Sequence, residues 1–399
     1  MKPEVLRLEN LPQEYYRLQF LVNVQSHNIQ KEMERSMHAG EIVGKLYSAL
    51  RAQYKNPDDE ATLQSLNKLC VRIVFLLYAE DAGILGKKNM FHEFLSAIAP
   101  KFVRAALKEL FKVLDTPLED RDPYLEEELA AFPYINGGLF ADENILIPTF
   151  NEEIVTLLLT HASMDFDWSC ISPTIFGAVF ESTLNPETRR KGGMHYTSIE
   201  NIHKVIDPLF LDELKQKFET IRESKQPNVR KQKLNDFQNK LASLTFLDPA
   251  CGSGNFLTEA YVSLRRLENN VLLERYKEKS LALDFGEEYN FIKVSINQFY
   301  GIEINDFAVT VAKTALWIAE SQMMAETEQI ISESLDFLPL KSYTNIVEGN
   351  ALRVDWEEVV LREKCSYIIG IISNIISSGI RSKQGKPFFS SQLYLSKAA

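Results

Sequence analysis

The stretch LDPACGSGNFL, Leu247 to Leu257, decides the fold. An apolar run, SLTFL, leads into Asp248, a Gly-Ser-Gly turn follows, and the pattern that opens at Asn255 is helical. The reading is a strand, a tight turn and a helix start. Glycine at 252 and 254 lets the backbone approach a ligand closely, and the free N–H groups of the helix start point toward it. A GxG turn after a strand is not specific by itself, so its ligand has to be argued from the residues around it.

Three ligand classes compete for this turn. A phosphate-cradling P-loop needs GxxxxGK[ST], and no Lys follows Gly254. A dinucleotide fingerprint needs GxGxxG, but Leu257 stands where the third glycine belongs. Its acidic ribose partner should come about 20 residues later, whereas the acid of the next strand is Glu303. S-adenosylmethionine carries no phosphate and needs no anion cradle. An acid at the strand end, here Asp248, can face its ammonium and sulfonium region.

Outward from the turn, short apolar runs are separated by helical segments. They are SLTFLDPA (Ser243 to Ala250), FYGIEIN (Phe299 to Asn305), TNIVEGNA (Thr344 to Ala351) and CSYIIGIIS (Cys365 to Ser373). This alternation predicts a parallel sheet with helices on both faces, and further helices are expected near 173–184 and 199–222. Between Lys215 and Lys240, eight Lys/Arg against three acids give a local net of +5. Such a run reads as a polyanion-facing patch or, more commonly, as a solvated helix and loop. Glu213 and Lys215 form an E-x-K pair without the strand context of a nuclease metal site.

The N-terminal part has another character. From about residue 12 to 110, apolar positions return every three or four residues, as in Leu63, Leu66, Leu69, Cys70, Ile73 and Leu77, and Gly and Pro are scarce. This predicts a helical bundle, with the stripe as core. Between Asp115 and Glu153 an acidic stretch and then FPYINGGLFADENILIPTF mark a boundary region or an ordered connector.

The chain has 399 residues, enough for two or three domains, and 45% hydrophobic with 25% charged residues excludes wholesale disorder. A net charge of −11 argues against a surface that grips nucleic acid everywhere, so any such contact must be local. Cys70, Cys170, Cys251 and Cys365 are far apart with no CxxC, which indicates neither zinc nor a disulfide framework and fits a reducing, cytoplasmic location. Neither a signal peptide nor a membrane-spanning run is expected.

With these motifs in place, the sequence resembles the amino-methylating DNA methyltransferases. DPACGSGNFL is similar to their S-adenosylmethionine loop, assigning Asp248, Pro249, Ala250, Gly252, Gly254 and Asn255 to the cofactor. KGGMHYTS (Lys191 to Ser198) resembles the preceding segment that holds the methionine carboxylate, which would place Tyr196 and Thr197 there. YGIEIN resembles the second-strand motif, implying that Glu303 accepts both ribose hydroxyls with Ile302 and Ile304 flanking the adenine. EGNAL resembles the third-strand motif, implying cofactor roles for Asn350 and Ala351, with Asn350 at the adenine amino group. HAGEIVGKLYSALRAQY, LNKLCVRIVFLLYAEDAGIL and MFHEFL resemble the helical spacer of fused type II (type IIG/IIL-like) restriction-modification enzymes, and the likeness covers roughly residues 20–370.

The resemblance implies an α/β plus all-α chain. Residues 1–20 would be a connector, 21–164 a helical spacer domain with its acidic connector, 165–375 a partial Rossmann-like methyltransferase sheet, and 376–399 an atypical tail. The implied reaction is methyl transfer from S-adenosyl-L-methionine to adenine N6 in double-stranded DNA. Plainer readings stay open for single residues: Asp248 as a helix N-cap, Glu303 as a solvated strand end, Asn350 as a left-handed turn residue, Tyr196 and Thr197 as a helix cap.

One departure matters. After its fourth strand the family carries Asn-Pro-Pro-aromatic, whose acceptors bind the target amino group and whose ring stacks on the flipped base. Here YIIGIISNIISSG offers Asn374 as the catalytic position, but Ile375 and Ile376 replace the prolines and Ser377 the ring. The expectation is a truncated chain that binds cofactor weakly at best and does not methylate DNA alone. A decayed gene, a frameshift product and a split enzyme all fit, the last implying a second chain that supplies the remaining sheet and target-recognition domain. A non-catalytic spacer or scaffold subunit is the alternative.

Overall fold

The computed structural model describes residues 24–135, 138–174, 176–177, 197–279, 292–331 and 345–370. The helical layer begins with α1 (Val24–Arg51), α2 (Glu60–Asp81), α3 (Met90–Ser96) and α4 (Pro100–Asp115). Asp59 caps α2 by accepting the Thr62 N–H at 3.3 Å. From Leu69 to Glu80 every residue of α2 is buried, so it is the central helix rather than an amphipathic one.

Two charges go inside with it. Arg72 donates to the carbonyls of Leu139 at 2.8 Å and Asp142 at 2.9 Å, and its guanidinium lies 5.0 Å from the Phe111 ring centre. Glu80 accepts the His92 N–H at 2.8 Å. Among the described residues of the acidic 115–153 region, Phe132, Ile135, Phe140, Ile147 and Phe150 are buried although few are helical. Irregular backbone survives there because arginines satisfy its carbonyls, Arg104 serving Ile147 and Arg121 serving Phe132, both at 2.7 Å.

Helix α5 (Ile199–Ile206) continues through a π-helical turn, Asp207–Leu211, into α6 (Asp212–Arg222). The single helix expected over 199–222 is thus widened at Pro208, which has no N–H and crowds the preceding turn. The basic stretch lies on α6 and on α7 (Pro227–Ser243), its lysines exposed. Then come β1 (Phe246–Asp248), α8 (Asn255–Lys279), β2 (Phe299–Glu303), α9 (Asp306–Ile331), β3 (Ile346–Glu348) and β4 (Tyr367–Ile368). The four apolar runs are all strands, each shorter than its run.

All three pairings are parallel, in the order β3-β2-β1-β4. Phe246 is in register with Phe299 and Tyr367, and the three rings lie face to face, Phe246 and Phe299 at 5.0 Å and 6°. Leu247, Ile302 and Ile368 cover the opposite face against Trp356 and Val360. The chain steps from β1 outward to β3 and returns to place β4 on the other side of β1. In such sheets a ligand crevice opens at the carboxyl ends of the strands where the order reverses.

The expected mixture of a helical bundle and a parallel sheet is what is observed. Its apolar core is continuous from Ala39 in α1 to Ile369 beyond β4. Tyr78 of α2 donates to the Ile318 carbonyl of α9 at 3.2 Å, and Gln322 of α9 donates to Ser169 at 3.0 Å and Ile171 at 2.8 Å. Among the described residues, no helix is long and apolar enough to cross a membrane.

Candidate functional site

Asp248 ends β1 and Glu303 ends β2, the strands that pair through Asp248 and Gly301. The glycine turn connects the two acids. Gly252 donates its N–H to Glu303 Oε2 at 2.9 Å, and Asn305 donates to Oε1 at 3.0 Å, so both oxygens of Glu303 are fixed from the backbone. Asp248 Oδ1 accepts the Ala250 N–H at 3.1 Å. Gly252 has φ 54° and Gly254 φ 81°. A Cβ at Gly254 would stand 2.9 Å from that of Ala312, so glycine also allows α9 to close on the turn.

Both acids are buried, Asp248 at 2% and Glu303 at 8% exposure. Burial lifts the Asp248 carboxyl to about 7, the Ala250 N–H opposing this and the Glu303 charge adding to it. Neither acid is a solvated strand end, and Asp248 is no helix cap, since α8 begins only at Asn255. Among the described residues, no Lys, Arg or His forms an ion pair with either acid, and no group of His, Cys, Asp and Glu is arranged to hold a metal. Two buried carboxylates without a cation would repel a pyrophosphate and suit a ligand that brings positive charge.

The remaining expected residues fall around this pair. Gly349, after β3, donates to the Glu303 carbonyl at 2.7 Å, which brings Asn350 to the same strand edge. Asn350 Oδ1 accepts the Leu352 N–H at 2.9 Å, and Asn350 is not left-handed: among the described residues only Asn89 combines a side chain with positive φ. Ile304 is 61% exposed beside Glu303, whereas Ile302 is fully buried under the sheet and does not face the site. Period-two alternation sends the Ile302 side chain to the opposite face from Glu303. Ala351 packs with Ile302 and Trp356, so its side chain belongs to the core. Asn255 is buried in the first turn of α8, its Oδ1 accepting Ser253 Oγ at 3.3 Å. Thr197 directly precedes Ser198, and the latter caps α5. Tyr196 and Asn374 lie outside the described residues.

One cluster escaped the sequence reading. His203 joins Asp207 at 2.8 Å and Glu259 at 3.1 Å, and Thr174 donates to Glu259 at 2.9 Å. The i, i+4 spacing of His203 and Asp207 was the available signal.

Residues 222–384 match the family model described as the MmeI DNA-methyltransferase domain, and residues 64–140 match the MmeI helicase spacer domain. The solved structure of the type IIL restriction-modification enzyme MmeI in complex with DNA superposes with a TM-score of 0.71 at 39% identity, over 83% of this chain. The chain belongs to the MmeI family of DNA methyltransferases. DNA methyltransferase A of Bacillus subtilis (strain 168) is 35% identical over 89% of this chain. A Methanocaldococcus jannaschii protein, named for a type II restriction enzyme and methyltransferase, is 27% identical over 79%. The chain spans 38% and 30% of these two relatives and 42% of the MmeI chain. Its family is thus one of methyltransferases in restriction-modification systems.

Proposed function

We propose that this chain provides the spacer and cofactor-binding part of an adenine-N6 DNA methyltransferase that uses S-adenosyl-L-methionine. The observation that carries the reading is the Asp248–Glu303 pair on the glycine turn, two buried acids with no basic partner among the described residues. S-adenosylmethionine, when bound, supplies an activated methyl group on a positively charged sulfur. Asp248 would face its cationic end, Gly252 and Gly254 would let the backbone close on it, and Glu303 would accept its ribose hydroxyls. Ile304 would cover the adenine, Asn350 would bind the adenine amino group, and Tyr196 and Thr197 would hold the carboxylate.

Adenine as target base rests on the resemblance to amino-methylating DNA methyltransferases, which the motifs around Asp248, Glu303 and Asn350 carry. The domain division at 164/165 is part of the same reading. Double-stranded DNA is the proposed substrate, in keeping with the complex solved for MmeI. This chain is not expected to methylate DNA alone, because Ile375 and Ile376 follow Asn374 where a rigid proline pair would orient the acceptors. A second chain completing the site is the corresponding partner proposal.

Calorimetric titration of the purified chain with S-adenosylmethionine and with NAD tests the reading. Binding of the former, lost in Glu303→Ala, is expected. Binding of NAD in preference, or of neither, would overturn it. Labelled methyl is not expected to enter DNA with this chain alone; incorporation would overturn the need for a second chain, and its restriction to DNA containing adenine would test the target base.

A further inference from the structure

His203 and Glu259 join the two helices whose starts frame the site. Helix α5 starts at Ile199, immediately after Thr197 and Ser198, and α8 starts at Asn255, immediately after the glycine turn. Each of the two residues lies four positions into its helix. At 1.5 Å per residue, their bond sits about 6 Å below both helix starts.

His203 Nε2 is 3.1 Å from Glu259 Oε1, and Nδ1 is 2.8 Å from Asp207 Oδ1. Thr174 Oγ1 donates to the other oxygen of Glu259 at 2.9 Å. A neutral imidazole has one N–H, so its bare nitrogen would confront the lone pairs of a carboxylate. The imidazolium donates to both. The bond to Glu259 accordingly raises the His203 pKa to about 8, against burial and with help from Asp207. Asp207, from its own segment, and Glu259, from α8, are the charged groups that face the ring among the described residues. Glu259 is only 5% exposed, so removing its cation leaves a buried charge whose remaining side-chain partner among the described residues is the Thr174 hydroxyl.

We propose that His203 is a positioning residue of the cofactor site. Bridging Asp207 and Glu259, it fixes the Thr197–Ser198 end of α5 against the Gly252–Asn255 turn and so sets affinity for the methionine end of the cofactor. The proposal rests on the cofactor reading above, and its test separates the two.

The test compares S-adenosylmethionine with 5′-methylthioadenosine, which keeps the nucleoside and lacks the amino-acid end, by calorimetry on the full chain. His203→Gln is expected to weaken S-adenosylmethionine about tenfold, roughly one charge-assisted hydrogen bond, and methylthioadenosine by less than about twofold. In the wild type, affinity for S-adenosylmethionine should fall as pH rises through about 8 more steeply than in His203→Gln. That variant retains the ligand's own amino-group titration, and the Asp248 titration near 7 is common to both proteins and cancels in the comparison. Asp207→Asn keeps the Glu259 bond, should move the alkaline limb to lower pH, and carries the test if His203→Gln does not fold. Equal losses for both ligands, no loss, or an unchanged pH limb would overturn the proposal while leaving the cofactor reading in place. A wild-type chain that binds neither ligand overturns both.

Discussion

Gly252 and Glu303, from the turn after one strand and the end of its neighbour, share a hydrogen bond of 2.9 Å, and Asn305 holds the other carboxylate oxygen at 3.0 Å. The Glu303 side chain is therefore both a proposed ligand group and a brace of the turn. Glu303→Ala strands two N–H donors. A stability loss of about 2 kcal/mol is expected in urea unfolding, with a much smaller loss in Glu303→Gln, which keeps one acceptor. Equal losses would mean that the brace contributes nothing.

Asp248 titrates near 7 in the folded chain because it is buried, against an ordinary value of 3.8. Between those values the folded state binds the proton and the unfolded state does not, so this group makes the ligand-free chain less stable as pH rises from about 4 to about 7. Asp248→Asn should abolish that decline, giving a higher melting temperature than the wild type at pH 8.

A cationic ligand beside Asp248 favours its ionised form. Binding of S-adenosylmethionine below pH 7 is therefore expected to release up to about one proton, seen as a dependence of calorimetric enthalpy on buffer ionisation heat. Asp248→Asn should remove the dependence.

Gly370 has φ 110°, and a Cβ there would stand 2.6 Å from Asp248 Oδ1. Gly370→Ala combines left-side backbone strain with displacement of a buried carboxylate. A loss of about 1–2 kcal/mol from the backbone alone is expected, together with weakened cofactor binding.

The helical layer and the sheet share α9 as a common wall. Gln322→Ala removes the donor to two carbonyls of the 169–171 segment and should cost about 1–2 kcal/mol. Thermal unfolding followed by helix signal and by tryptophan emission should remain a single coincident transition in the wild type.

Much of this was legible. Apolar runs located all four strands, Asn255 marked the start of α8, and the acids at 248 and 303 meet where strand ends would bring them. What escaped depends on long-range packing. Alternation alone would have turned Ile302 into the core, but the family resemblance grouped it with Ile304. His203 and Glu259 are 56 residues apart, and only the docking of α5 on α8 makes them neighbours. The acidic 115–153 region reads as a boundary or an ordered connector because its composition changes, and composition does not show that its aromatic residues are drawn inward and its free carbonyls met by Arg72, Arg104 and Arg121.

The unbroken core between Ala39 and Ile369 bears on how such chains can be recombined. A crossover at the proposed 164/165 division would part Tyr78 from Ile318 and the 169–171 segment from α2. Grafting either half onto a divergent relative then requires matched repacking along α9. The helical layer and the strands should therefore be inherited, and transplanted, as one cassette.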